Sequence, residues 1–128
     1  MYFLKRNRNK LIVGTDDNKI FRDDDEVYTN PNEVRAFWSN SEYLYWVDTA
    51  ENVSRIPLAN VNDASWSSNV EITETNLNTV TGEVFIEEDE DNAYLFYGDN
   101  IFEIINSTGQ IANEYTFLYD TVAGIISL

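Results

Sequence analysis

Neither cysteine nor histidine occurs anywhere in the chain. Without cysteine there are no disulfides and no thiolate metal sites. Without both residues there is no Cys nucleophile, no Ser-His-Asp triad, no histidine general base and no ordinary zinc site. Carboxylates, Lys, Tyr, Ser and Thr are what remains for chemistry, and no enzyme activity and no cofactor are expected. Positive charge is scarce and uneven. Lys5, Arg6, Arg8, Lys10, Lys19 and Arg22 stand early, and only Arg35 and Arg55 follow, so the C-terminal two-thirds is almost purely acidic. No apolar run is long enough to cross a bilayer. The N-terminal stretch Met1-Tyr2-Phe3-Leu4-Lys5-Arg6 lacks the apolar segment and cleavage site of a signal peptide.

What is present points to a packed domain. The 128 residues suit a single domain over 1–128, and 43% of them are apolar, with aromatics at 14%, enough to build a core despite the charge. The formal net charge of −15 repels nucleic acid and anionic lipid and draws basic partners inward. Helix signals are weak, because no long window spaces apolar residues at 3.6 with a cap before and Gly after. Strand signals are strong: short β-branched and aromatic runs stand between Asn, Asp, Gly, Ser and Thr clusters.

Three runs read as hairpins with polar tips. They are Leu11-Ile12-Val13-Gly14 with Lys19-Ile20-Phe21-Arg22, Tyr43-Leu44-Tyr45-Trp46-Val47 with Val53-Ser54-Arg55-Ile56, and Tyr94-Leu95-Phe96-Tyr97 with Ile101-Phe102-Glu103-Ile104-Ile105. Weaker strands are expected at 34–38, 70–72, 83–86, 115–119 and 124–126. In the inner strands, alternate side chains are apolar on both faces. Tyr43, Tyr45 and Val47 lie on one side, and Leu44 and Trp46 on the other. Such strands want cover on both sides, which in an all-β chain must come from other sheets.

The three hairpins suggest a repeat: Asn, an apolar run, an acidic turn, then a run of Ile or Phe carrying a charge. Residues 60–81 stand out as a possible polar insertion. The unit resembles a β-propeller blade, in which small antiparallel sheets stack radially and cover one another. Tyr45-Trp46-Val47-Asp48, followed by Val53-Ser54-Arg55-Ile56-Pro57-Leu58, is similar to the YWTD-type repeat, with Val47 where that family has Thr. The resemblance implies that Tyr45 and Trp46 pack between blades and that Asp48 ties down the turn. The expected fold is therefore all-β: antiparallel hairpin repeats forming about three blades, or a small sandwich.

Candidate sites are few. Glu87-Glu88-Asp89-Glu90-Asp91-Asn92 is the densest acidic run. A solvated hairpin tip is preferred there over a calcium site through Asp89 and Asp91, since the run lacks the Gly that lets an EF-type loop fold back. Trp66, in a polar stretch, is expected as an exposed contact residue. The apolar C-terminal residues Ile125, Ile126 and Leu128 are expected to be tied down by the sheet or by a neighbouring subunit. Arg6 and Arg8 could seat the N-terminus on an acidic neighbour. The function expected is a non-enzymatic structural or interaction subunit of a larger assembly, such as a phage or virus tail, neck or capsid-accessory protein. Its partners would be proteins or copies of itself rather than nucleic acid or membrane, and its place the virion or host cytoplasm. An alternative is an acidic nucleic-acid mimic that inhibits a DNA-binding or defence protein. A further one is a carbohydrate- or peptide-binding module.

Overall fold

The computed structural model describes residues 3–7, 10–75, 84–89, 91–97 and 100–116. They form three four-stranded antiparallel sheets, each a meander in chain order. The first holds β1 (Phe3–Asn7), β2 (Lys10–Gly14), β3 (Lys19–Arg22) and β4 (Asp25–Thr29). The second holds β5 (Val34–Ser39), β6 (Tyr43–Asp48), β7 (Val53–Pro57) and β8 (Glu71–Glu74). The third holds β9 (Val84–Glu88), β10 (Asn92–Tyr97), β11 (Asn100–Ile105) and β12 (Ile111–Thr116). A single 3-10 turn, Leu58–Asn60, follows β7. Among the described residues no helix is long and apolar enough to cross a membrane.

Hairpin tips form where the sequence can adopt left-handed backbone. Asn18 (φ +71°) and Asp23 (φ +52°) occupy two of them, residue types whose short polar side chains tolerate that region. Glu51 (φ +67°) is less suited to it. It is held there because the carboxylate of Asp48 accepts the N–H groups of Ala50 (3.0 Å) and Asn52 (3.1 Å) on either side.

The sheets stack face on face, with the second in the middle. One core joins Ile12, Ile20 and Val27 of the first sheet to Val34, Phe37, Leu44, Trp46 and Ile56 of the second. The other joins Trp38, Tyr45, Val47 and Val53 of the second to Ala93, Leu95, Phe102 and Ile104 of the third. The pleat makes this possible: Leu44 and Trp46 project to one side of β6, and Tyr45 and Val47 to the other, all fully buried. Each large apolar side chain buried this way contributes on the order of 1.5–3 kcal/mol. The first strands of successive sheets lie side by side, β1 against β5 and β5 against β9.

One expectation is corrected. Trp66 is not an exposed contact. It is fully buried in the first core, tilted against Trp46 with ring centroids 5.9 Å apart, and its indole N–H donates to the Val61 carbonyl (3.1 Å). The polar residues around it mislead because they stay in water while the indole and Val61 fill the seam beside β4, where Trp66 N–H bonds the Val27 carbonyl (3.1 Å). Within 60–81, Glu71–Glu74 is the outer strand of the second sheet, bonded to β7, where a strand was expected at 70–72. Residues 76–81 lie outside the described residues.

Candidate interaction surfaces

Each seam carries a polar fastening as well as an apolar core. Arg22, on β3, crosses to the second sheet and donates through Nη1 to the carbonyls of Val61 and Asp63, both at 2.8 Å. Arg55, on β7, crosses to the third sheet. Its Nη1 donates to the Ser107 carbonyl (3.0 Å) and the Tyr45 hydroxyl (3.2 Å), and its Nε pairs with Glu71 at 2.9 Å. The guanidinium also lies 4.0 Å over the Tyr43 ring, within cation–π range. Burial tends to lower the Arg55 pKa, but Tyr45 and Glu71 hold it above the ordinary arginine value. The two arginines occupy the same place in their sheets, since Arg22 pairs with Ile12 on β2 and Arg55 with Tyr45 on β6.

Two buried polar posts reinforce the seams. Asn30, leaving β4, accepts the Trp46 indole N–H (3.0 Å) and donates to Asp48 (3.0 Å). Asn106, leaving β11, offers its carbonyl to the Asn40 side chain (3.1 Å) and to the Tyr45 hydroxyl, and its own amide donates to the Asp89 carbonyl (3.0 Å). Burial pushes the Tyr45 phenol up. At the outer strands, Glu74 accepts the Ile111 N–H (2.9 Å).

With both inner seams filled, the remaining faces are those at the two ends of the stack. On the first sheet, Leu11, Val13 and Phe21 point away from the core and are half-buried, with Lys19 and Glu26 beside them, 3.8 Å apart. A depression of about 480 Å³ lies there, lined by Thr15, Asp16, Asp17 and Phe21. On the third sheet the outward side carries Tyr94 and Phe96, half-buried, and Tyr115, 48% exposed. In their midst Glu103 accepts hydrogen bonds from Asn92 (2.6 Å), Asn113 (3.0 Å) and the Tyr115 hydroxyl (3.1 Å). That bond to Glu103 raises the Tyr115 phenol. Glu103 pairs with Tyr94, the register position that Arg22 and Arg55 hold in the other sheets.

Arg6 stands opposite Leu11 in the β1–β2 register. Arg8, Ile125, Ile126 and Leu128 lie outside the described residues. The Asp89 carboxylate accepts the N–H groups of Asp91 (2.9 Å) and Asn92 (2.8 Å), so it builds the turn before β10. Among the described residues no group of three or more acidic side chains is placed to hold a metal. Sequence reasoning missed Asn30, Asn106 and the two arginine fastenings. For the arginines a signal existed in the charged residue that closes each repeat. No family model matches this chain, and no curated protein sequence does either.

Proposed function

We propose that this protein is a non-enzymatic interaction subunit, which joins a larger assembly by stacking the outward faces of its first and third sheets against protein. The observation that carries this is the difference in burial between sheets. β6 buries five consecutive residues, Leu44 to Asp48, because it is covered on both sides. The hairpins on either side have the same two-sided apolar pattern, yet the described residues cover them on one side: Ile12 and Leu95 are fully buried, while Val13, Phe21, Tyr94 and Phe96 are not. Strands of that composition favour a further layer.

A virion tail, neck or accessory component is one member of this class, and it is the member the composition suggests. The acidic-mimic alternative has less in its favour. Carboxylates are held by turns and local cations, as in Asp23 with Leu11 N–H (3.0 Å) and Lys10 (3.6 Å). Cross-linking mass spectrometry on the tagged chain, purified from cells that express it, tests the proposal. Cross-links from Lys10 and Lys19 to a protein neighbour, with Tyr94 and Phe96 shielded from radical labelling, are expected. Recovery of a free monomer with both aromatics fully labelled would overturn it.

A further inference from the structure

We infer that the layer covering both end faces is a second copy of this chain, with the third sheet of each copy stacked on the first sheet of the other. This rests on the interaction-subunit reading and names its partner. The argument begins with the fastenings. In both inner seams the forward-facing arginine of one sheet meets loop carbonyls of the next, Arg22 on Val61 and Asp63 and Arg55 on Ser107. On the third sheet the equivalent position is Glu103, with Glu87 paired to the same Tyr94 from β9. The polarity of the fastening is reversed there: Glu103 is hydrogen-bonded within its own sheet by Asn92, Asn113 and Tyr115, and a cation on the covering layer would complement its charge and that of Glu87.

This chain has one region able to do so. Residues 1–30 hold six of the eight Lys and Arg, balanced by six Asp and Glu, whereas residues 76–128 hold ten Asp and Glu and no cation. On the outward side of the first sheet Lys19 lies beside Phe21, 3.8 Å from both Asp17 and Glu26, and the register sets Arg6 opposite Leu11. The apolar parts also correspond, with Leu11, Val13 and Phe21 on one face and Tyr94, Phe96 and Tyr115 on the other. Tyr115 pairs with Ile101, next to the Tyr97–Asn100 pair at the end of β10 and start of β11. The depression beside Phe21 lies at the matching turn between β2 and β3. Of the acidic residues at the two turns of the first sheet, Asp17 is paired with Lys19 (3.8 Å), Asp23 is bound to Leu11 N–H and Lys10, and Asp25 is paired with Arg22 (3.6 Å).

The count of sheets agrees. Propellers close with roughly four to eight blades. Two copies of three sheets supply six, related by a two-fold axis through the ring, with two identical seams that each pair unlike faces.

Light scattering on the purified chain at several concentrations gives the first readout. A particle of twice 14.8 kDa is expected. Phe21→Asp, on the first sheet, and Tyr94→Arg, on the third, are each expected to give monomers. Their folding is checked by slow amide exchange in β6, which lies in neither end face. An equimolar mixture of the two variants is expected to regain the dimer, because one of its seams is free of substitutions. A wild-type chain that stays monomeric overturns the inference. So does a dimer that Phe21→Asp leaves intact, since that outcome pairs third sheet with third sheet. A monomer in solution whose end faces still cross-link to another protein in cells overturns the second copy alone and leaves the interaction-subunit reading in place.

Discussion

Asp48 shows how much one side chain settles in this molecule. Its carboxylate is buried and holds the N–H groups of Ala50 and Asn52, and it accepts the Asn30 amide, which in turn fixes the Trp46 indole. Asp48→Ala removes a buried carboxylate acceptor and leaves several donors unmet. It is expected to destabilise the fold by about 1.5–3 kcal/mol in urea titrations, with Asp48→Asn milder. Tyr45 predicts a pH effect. Burial raises its phenol above the ordinary value of 10.0, so the folded state prefers the protonated form. That stabilisation is complete below the ordinary value and is lost as pH climbs through the folded pKa. Tyr28, raised by burial and by Asp48, adds to the same trend. Urea midpoints are therefore expected to fall in the alkaline range above about pH 10, and Tyr45→Phe should flatten part of that fall. The Tyr-Trp-Val-Asp string in the sequence pointed to Tyr45, Trp46 and Asp48 before any coordinates. Asn30 was not legible, because its partners Trp46 and Asp48 lie 16 and 18 residues away and an Asn before Pro31 reads as a plain turn residue.

At the level of elements, the approach of the first sheet to the second depends on Gly14. A Cβ there would sit 3.1 Å from Val34 Cβ and 3.3 Å from Phe37 Cε2, so the sheets would have to part slightly. Gly14→Ala is expected to cost about 1–3 kcal/mol as overpacking, read from the thermal midpoint. Glu51→Asn works in the opposite direction, because Asn tolerates the left-handed backbone that Glu51 adopts. A gain of about 0.5–1 kcal/mol is expected by the same measurement. The hairpins could be read from the sequence because alternation, β-branching and polar tips agree locally. Trp66 could not. Its neighbours are Ser and Asn, and only the neighbouring sheet reveals a pocket for an indole. The register shift at Ile20/Phe21 was equally hidden. It turns both Val27 and Tyr28 toward the second sheet, an outcome no period-2 pattern anticipates.

For the whole molecule, the cover on both sides of β6 was legible in that strand's two-sided apolar character, but the order of the sheets was not, because the other two hairpins share the pattern. The identity of the outermost layer did not follow, because a half-covered strand has the same composition as a covered one. The net charge of −15 gives a further expectation. Like charges crowded on a compact body oppose folding, and salt screens them. Added sodium chloride should therefore raise the calorimetric melting temperature, whereas a fold held mainly by exposed ion pairs would weaken. The placement of the three indoles also divides the molecule optically. Trp46 and Trp66 are packed together in one layer, while Trp38 lies in the other, stacked on Tyr45 at 5.1 Å and 6°. A Trp38→Phe chain would emit only from the first layer, and a chain with Trp46 and Trp66 replaced only from the second. Fluorescence from the two could then follow the separation of each pair of sheets independently, without any attached dye.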